Sequence, residues 1–169
     1  LYALAGSMQF QDSGMAVISG LGNPLMMLGM ALVLFALAFK LSLFPFHSWT
    51  ADVYQGAPAP IVTFLATVSK IAVLALAIRF IFLSGSLALD SMHTILTVIA
   101  VLSIVIGNLL AVRQVNLKRL LAFSSIAHLG YLLVAILCLG ISSLPTVGVY
   151  LITYLLTTIG AMGVVALMS

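Results

Sequence analysis

Long apolar stretches separated by short polar segments dominate the chain. A hydrocarbon core of about 30 Å requires roughly 20 helical residues, because an α-helix rises 1.5 Å per residue. We therefore predict five membrane spans, at residues 25–44, 61–83, 95–112, 120–139 and 146–168. This pattern predicts an all-α fold, a polytopic membrane helix bundle.

The segments between the spans are polar or rich in glycine and proline. Residues 6–24 and 84–94 are predicted loops, with Pro24 suited to the first turn of the following helix. Residues 1–5 have the composition of the tail of an earlier span. Because the sequence begins at Leu1 and ends directly after an apolar run, we expect residues 1–169 to be an internal piece of one longer membrane domain.

Composition agrees with a lipid environment and excludes several functions. The chain is 64% hydrophobic and 5% charged, whereas roughly a quarter of the residues of a soluble domain are charged. Six basic residues are too few for a nucleic-acid surface. The single cysteine, Cys138, allows no disulfide framework or cysteine-based metal motif, and there is no Gly-x-Gly-x-x-Gly or P-loop. We therefore expect no NADH, flavin, iron–sulfur or metal site on this chain.

Basic residues between the third and fourth predicted spans indicate the orientation. Arg113, Lys118 and Arg119 lie within a few residues of two span ends, so this side is predicted to be cytoplasmic. Two crossings separate this loop from the connector at residues 45–60, which should then lie on the same side of the membrane.

Two lysines fall inside apolar segments, where a charged amine costs at least ~2.5–3.5 kcal/mol. Lys70 is about ten residues into its span, which places it ~15 Å deep, near the midplane. A packing role would require a carboxylate from outside the predicted spans, because none of them contains an acidic residue. We favour a proton-carrying lysine, since ionisable groups inside membranes are usually functional.

Three further residues complete the candidate site. Lys40 is nearer the membrane face, where its amine could extend to the interface, but Pro45 follows it and should end or kink the helix there. Broken backbone at membrane depth persists where it is buried in protein or lines a wet cavity, so Pro45 is a predicted structural support. His128 is also ~15 Å deep and either joins helices or passes protons, with Ser124 one turn earlier as its predicted support.

Two long motifs resemble a known family. The stretch FKLSLFPFHSWTADVYQGAPAPIVTFLATVSK at 39–70 resembles the signature of the antiporter-like membrane subunits of respiratory complex I, and NLKRLLAFSSIAHLGYLLV at 116–134 resembles their matching downstream segment. The resemblance implies a fold of about fourteen helices with inverted repeats, each containing a broken helix. It matches Lys40 to the lysine of the first broken helix, Lys70 to the lysine of the next helix, and His128 to a histidine of the connecting polar axis.

The resemblance also implies a function. The family moves protons across the bacterial inner (plasma) membrane, driven by quinone reduction elsewhere in NADH:quinone oxidoreductase, with redox cofactors on partner subunits. A Mrp-type cation/proton antiporter subunit and a helical scaffold with incidental polar residues are the alternatives. The family's glutamate of an earlier helix and its lysine of the second broken helix have no counterpart here. Ala51 replaces the usual proline, which should loosen the turn after Trp49.

Overall fold

The computed structural model describes residues 23–84 and 90–168, together with Tyr2, Gly6, Gln9 and Asp12. In this part the chain forms α1 (Pro24–Leu41), α2 (Ser48–Gly56), α3 (Ala59–Phe64), a π-helical turn (Leu65–Ser69), α4 (Lys70–Leu83), α5 (Asp90–Val112), α6 (Leu117–Leu139), a 3-10 turn (Gly140–Ser143) and α7 (Leu144–Met168). The expected span tail at residues 1–5 (apart from Tyr2), most of the loop predicted at 6–24 and residues 85–89 of the loop predicted at 84–94 lie outside the described residues.

The five predicted spans are confirmed in number and order. Five helices of the described residues are long and apolar enough to cross a membrane: α1, the continuous Ala59–Leu83 helix, α5, α6 and α7. Their ends differ from the predictions by a few residues. The largest difference is at α5, which begins at Asp90 rather than at residue 95. Asp90 lies in the first turn, where a carboxylate stabilises the helix dipole, so the helix extends beyond its apolar part.

The first span ends at Leu41, three residues earlier than predicted. Ser42 adopts the left-handed conformation with φ 61°, the Leu43 N–H donates to the Ala38 carbonyl at 2.9 Å, and the Ser42 N–H donates to the Phe39 carbonyl at 3.0 Å. These two bonds form a Schellman ending. Pro45 therefore follows the helix end instead of kinking the helix, because the residue before a proline is disfavoured in helical conformation.

Side chains of other helices satisfy the broken backbone between α1 and α2. The Phe44 N–H donates to the Ser103 hydroxyl of α5 at 2.9 Å, and the Trp49 indole N–H donates to the Phe39 carbonyl at 3.2 Å. The Thr50 hydroxyl donates to the buried Ser42 hydroxyl. The start of the break, at Ser42 and Leu43, is thus buried and bonded within the protein, as broken backbone at membrane depth requires.

The connector contains a helix, and the prediction of a loosened turn at Ala51 is wrong. Ala51 is the fourth residue of α2, buried against a cluster that includes Phe123 and Ile126 of α6. Alanine has the highest helix propensity and a small side chain, so it continues the helix and permits this close packing.

The α6 helix is the centre of the described bundle, more deeply buried than the other spans. It packs closely along α5, where an added Cβ at Gly107 would approach the Ala127 amide nitrogen to 2.9 Å, and one at Gly130 would approach Ile104 to 2.7 Å. Small residues of this kind let membrane helices approach closely. The polar side chains of α6 are therefore held against their neighbours.

The basic loop and the connector lie at the same end of the bundle, as the crossing count predicted. Arg119 forms an ion pair with Asp52 at 2.9 Å, and the Lys118 ammonium donates to the Ala57 carbonyl at 3.2 Å. Asn116 caps α6 by accepting from the Lys118 N–H.

Candidate functional site

Lys70 is buried at the first position of α4, with 3% of its surface exposed. Its ammonium donates a hydrogen bond to the Ser125 hydroxyl of α6 at 2.8 Å, and the Ser125 hydroxyl donates to the Ala122 carbonyl at 2.7 Å. Across residues 23–84 and 90–168, Lys70 forms no ion pair. A lone buried amine of this kind is charged only at a cost, so its charge responds to its neighbours.

A π-helical turn directly precedes Lys70. The wider turn shifts the backbone pairing by one residue and can leave a carbonyl free for a side-chain donor. Here the Ala66 carbonyl accepts a hydrogen bond from the buried Tyr154 hydroxyl of α7 at 3.1 Å. π-helical turns occur frequently at functional sites. This turn is thus fastened to α7 next to the buried amine.

Two members of the site were missed in the sequence. Ser125 accepts from Lys70. Ser124, which was predicted to support His128, makes no hydrogen bond in the described part of the chain. The signal for Ser125 is its place three residues before His128, on the same side of a helix. Tyr54 of α2 lies with its ring centroid 5.7 Å from the Lys70 ammonium. No sequence pattern marks Tyr54, because the contact depends on how α2 folds back.

His128 lies one turn beyond Ser125 on α6. Its Nδ1 pairs with the Tyr150 hydroxyl of α7 at 2.6 Å, and its ring lies 5.5 Å from that of Tyr154. Tyr154 also donates to the turn before Lys70, so this tyrosine contacts both His128 and the backbone next to Lys70. His128 lines an open cavity of about 640 Å³ along α7, with Thr153 and Thr157. Lys70 and His128 are therefore neighbouring sites, as their matching depth suggested.

Lys40 is not part of this cluster. It lies in the last turn of α1, is exposed, and makes no hydrogen bond or ion pair in the described ranges. Its positive charge is favourably placed at the negative end of the helix dipole. Pro45 is also exposed and belongs to the turn that follows. The predicted roles of Lys40, Lys70 and His128 in proton transfer stay predictions.

These features identify the class of protein to which the chain belongs. The described residues form a polytopic helical membrane protein with an ionisable amine buried between its helices beside a π-helical turn. The chain belongs to the NADH:quinone oxidoreductase/Mrp antiporter transmembrane family, whose model matches residues 1–169.

Bacterial relatives support this assignment. The chain is 58% identical over 169 residues to NADH-quinone oxidoreductase subunit N of Acinetobacter baumannii (strain AB0057), 52% identical to that of Psychrobacter arcticus and 53% identical to that of Ectopseudomonas mendocina. All of this chain is covered, and it spans 34% of the length of each relative. The chain is a multi-pass protein of the bacterial inner membrane, as predicted.

A solved structure shows the same arrangement of helices. Respiratory complex I from Thermus thermophilus with bound aureothin contains a chain that matches 85% of this one, with a TM-score of 0.71 and 44% sequence identity. The match covers 31% of that chain. The predicted all-α antiporter-like bundle is therefore confirmed.

Proposed function

We propose that this segment belongs to a proton-translocating membrane subunit of NADH–quinone oxidoreductase, respiratory complex I, of the subunit N type. The observation that carries the proposal is Lys70, an amine buried between α4, α6 and α2 whose one hydrogen-bond partner among the described residues is the Ser125 hydroxyl. The names of the bacterial relatives and of the solved complex agree with this function.

Lys70 is the proton carrier in this proposal. The ammonium donates to Ser125, and a serine hydroxyl is both donor and acceptor with a rotatable hydrogen. When Lys70 is neutral, the Ser125 hydroxyl can turn from the Ala122 carbonyl and donate to the amine nitrogen. The same pair thus holds both protonation states of the lysine, which a group that loads and releases protons requires.

Lys40 and His128 take the flanking roles. In this proposal Lys40 switches the proton affinity of Lys70, since like charges disfavour each other, although the exposed Lys40 amine lies outside the Lys70 cluster. His128 passes the proton onwards, since an imidazole has one nitrogen that accepts while the other donates. Its contacts with Tyr150 and Tyr154 place it next to the Lys70 surroundings.

In this proposal, quinone reduction and the redox cofactors belong to other subunits. Proton movement is coupled to quinone reduction elsewhere in the complex, and this chain takes part in the oxidoreductase without binding a redox cofactor itself. NADH, FMN, iron–sulfur clusters and quinone are assigned to partner subunits. The direct partners are other membrane subunits of complex I and the lipid bilayer.

Replacing Lys70 by Ala in the full-length protein, within the intact complex, tests the proposal. Proton uptake by inverted membrane vesicles and quinone reduction by the same vesicles are measured together. We expect at least a tenfold loss of proton uptake, because no other described amine lies at this buried position. Arg79→Ala is the control, since Arg79 is near the far end of the same span. Unchanged pumping and turnover in Lys70→Ala would refute the proposal.

A Mrp-type cation/proton antiporter subunit is the second candidate, because the family model includes that class. It would use the same lysines without electron transfer. Copurification of redox subunits with the full-length protein distinguishes the two. If the chain is instead a helical scaffold with incidental polar residues, the Lys40→Ala and Lys70→Ala variants should both pump normally.

A further inference from the structure

Tyr54 is a buried polar residue that the proposed proton route does not use. It belongs to α2, outside the membrane spans, yet only 1% of its surface is exposed and its ring faces the Lys70 ammonium. Its buried hydroxyl lies beside the Ser125 hydroxyl of α6 but makes no well-formed hydrogen bond to the described residues. A buried hydroxyl left unpaired costs free energy, so such a group in a native protein needs an explanation.

The neighbours of Tyr54 are the parts of the Lys70 site. An ammonium has three N–H donors, and Lys70 uses one of them on Ser125. The ring face of a tyrosine attracts a cation at this distance. Besides Lys70, the titratable group facing Tyr54 is Tyr154 of α7. Burial raises the pKa of Tyr54, so the phenol stays neutral and acts through hydrogen bonds, not as a negative partner for the lysine.

Tyr54 packs among apolar residues of α6, and a polar cluster around Arg119 holds the exposed side of the same α2 helix. One guanidinium nitrogen of Arg119 donates to Asp52 at 2.9 Å and to Gln55 at 2.8 Å, and Nε donates to Gln114 at 3.2 Å. Tyr54 lies between Asp52 and Gln55 in sequence and points inward. A helix of nine residues has little stability of its own, so external contacts decide where it lies.

We propose that Tyr54 is a further residue of the Lys70 site, through which a proton reaches the amine from the side of α2. Arg119 is the residue that positions Tyr54. This inference rests on the proposed function. In the step that we assign, a neutral Lys70 takes a proton through a hydrogen-bonded water, to which the Tyr54 hydroxyl gives its proton. A second water on the α2 side, protonated from bulk, returns one to the phenol oxygen. One proton enters, each oxygen regains its original protons, and Lys70 gains one N–H bond.

Tyr54→Phe in the full-length protein, within the intact complex, tests the inference because it removes the hydroxyl and keeps the ring. Proton uptake and quinone reduction are measured in inverted vesicles from pH 6 to about 9, at equal complex content. We expect uptake to fall roughly three- to tenfold, the rate equivalent of about one hydrogen bond to the water of the proposed step. The fall should vary with pH, whereas a purely structural effect would scale the whole profile equally.

Tyr131→Phe is the matched control. Tyr131 is on α6, is partly exposed, and its hydroxyl accepts from Asn108 instead of facing Lys70. We expect its uptake to stay within about twofold of the wild type, since an exposed hydrogen bond contributes little. Equal loss in Tyr131→Phe and Tyr54→Phe would overturn the assignment.

Arg119→Gln tests the positioning role, with Arg113→Gln as its control. Both changes remove one positive charge near the α5–α6 connection, but Arg113 is exposed and makes no hydrogen bond to described residues. We expect Arg119→Gln to reduce uptake about as much as Tyr54→Phe, and to have little further effect when Tyr54 is already Phe. If Tyr54→Phe fails to assemble, Arg119→Gln decides, because it leaves the tyrosine in place.

The outcomes separate this inference from the proposed function. Normal uptake in Tyr54→Phe and Arg119→Gln, with uptake lost in Lys70→Ala, would overturn the inference alone. Normal uptake in all three variants would overturn the proposed function as well.

Discussion

Lys70 and Lys40 are thirty positions apart in the sequence and occupy opposite kinds of environment. Lys70 is enclosed by α2, α4 and α6, with a hydroxyl to hold its amine and an aromatic ring beside it. Lys40 lies in the last turn of α1 with its amine exposed and unpaired in the described part of the molecule. Two lysines in similar apolar segments thus differ in burial, in hydrogen bonding and in aromatic contact.

The difference shows what controls an intramembrane charge. Desolvation, neighbouring charges and hydrogen bonds set the affinity of an amine for its proton, and each depends on neighbours from distant parts of the chain. Ser125, the partner of Lys70, is 55 residues away in sequence. The central α6 helix supplies that partner, and no described residue forms a comparable hydrogen bond with Lys40 of α1. Four predictions test this contrast.

The largest effect is expected at Ser125. Ser125→Ala removes the only described hydrogen-bond acceptor of the Lys70 ammonium, and hydrogen bonds to charged groups contribute about 1.5–3 kcal/mol. We expect proton uptake by vesicles containing the intact complex to fall at least tenfold. Ser124→Ala is the matched comparison, since Ser124 is adjacent in sequence but makes no hydrogen bond in the described residues. Equal losses in both variants would contradict the contrast.

The second largest effect is expected on thermal stability, from a substitution in the close contact between α6 and α5. Gly130→Ala places a methyl group 2.7 Å from Ile104 and 3.1 Å from the Ala100 carbonyl, and such overpacking costs about 1–3 kcal/mol. We expect a lower midpoint of thermal unfolding for the purified complex. Gly163→Ala on α7 meets no atom of another described helix within 4 Å and should leave the midpoint unchanged or slightly raised. A midpoint lowered equally by both substitutions would argue against close α5–α6 packing.

Replacing each lysine by methionine should separate stability from activity. Lys70→Met exchanges a buried charge for an apolar side chain of similar length, which is expected to be neutral or stabilising by about 1 kcal/mol. Lys40→Met removes an exposed charge and should change stability by less than about 0.5 kcal/mol. Thermal unfolding of the purified complex, measured with proton uptake, checks both. Strong destabilisation by Lys70→Met would mean that the lysine has a structural role.

The smallest effect is expected at the exposed Asp52–Arg119 ion pair. Asp52→Asn removes the charge opposite Arg119 but keeps an oxygen that accepts a hydrogen bond. The Asp52 side chain is 71% exposed, and exposed ion pairs contribute about 0–1 kcal/mol. We expect a shift in the unfolding midpoint of at most about this size at low salt, vanishing at high salt. A large shift that persists in high salt would place the Asp52–Arg119 pair among the buried contacts.

Several features followed directly from the sequence. The five spans depend on runs of apolar residues long enough to cross a bilayer, which is a local property of each segment. The break after Lys40 follows from Pro45, which cannot donate a hydrogen bond to the carbonyl of Leu41, four residues earlier. The expectation that the basic loop and the connector share one side followed from counting crossings, and the Arg119–Asp52 pair agrees with it.

Tertiary structure decided the composition of the site. Ser125 rather than Ser124 reaches Lys70, because the rotation of α6 about its axis is set by close packing at Gly107 and Gly130. Tyr54 enters the site because α2 folds back against α6, and Ala51 continues that helix where the sequence predicted a loose turn. The apolar pattern of a membrane helix is similar around its circumference, so it determines that a segment spans but not which side faces its neighbours. For this protein the sequence determined the spans and the candidate lysines. Only the packing of the helices decided that Lys70 is buried beside Tyr54 and Ser125 while Lys40 is exposed.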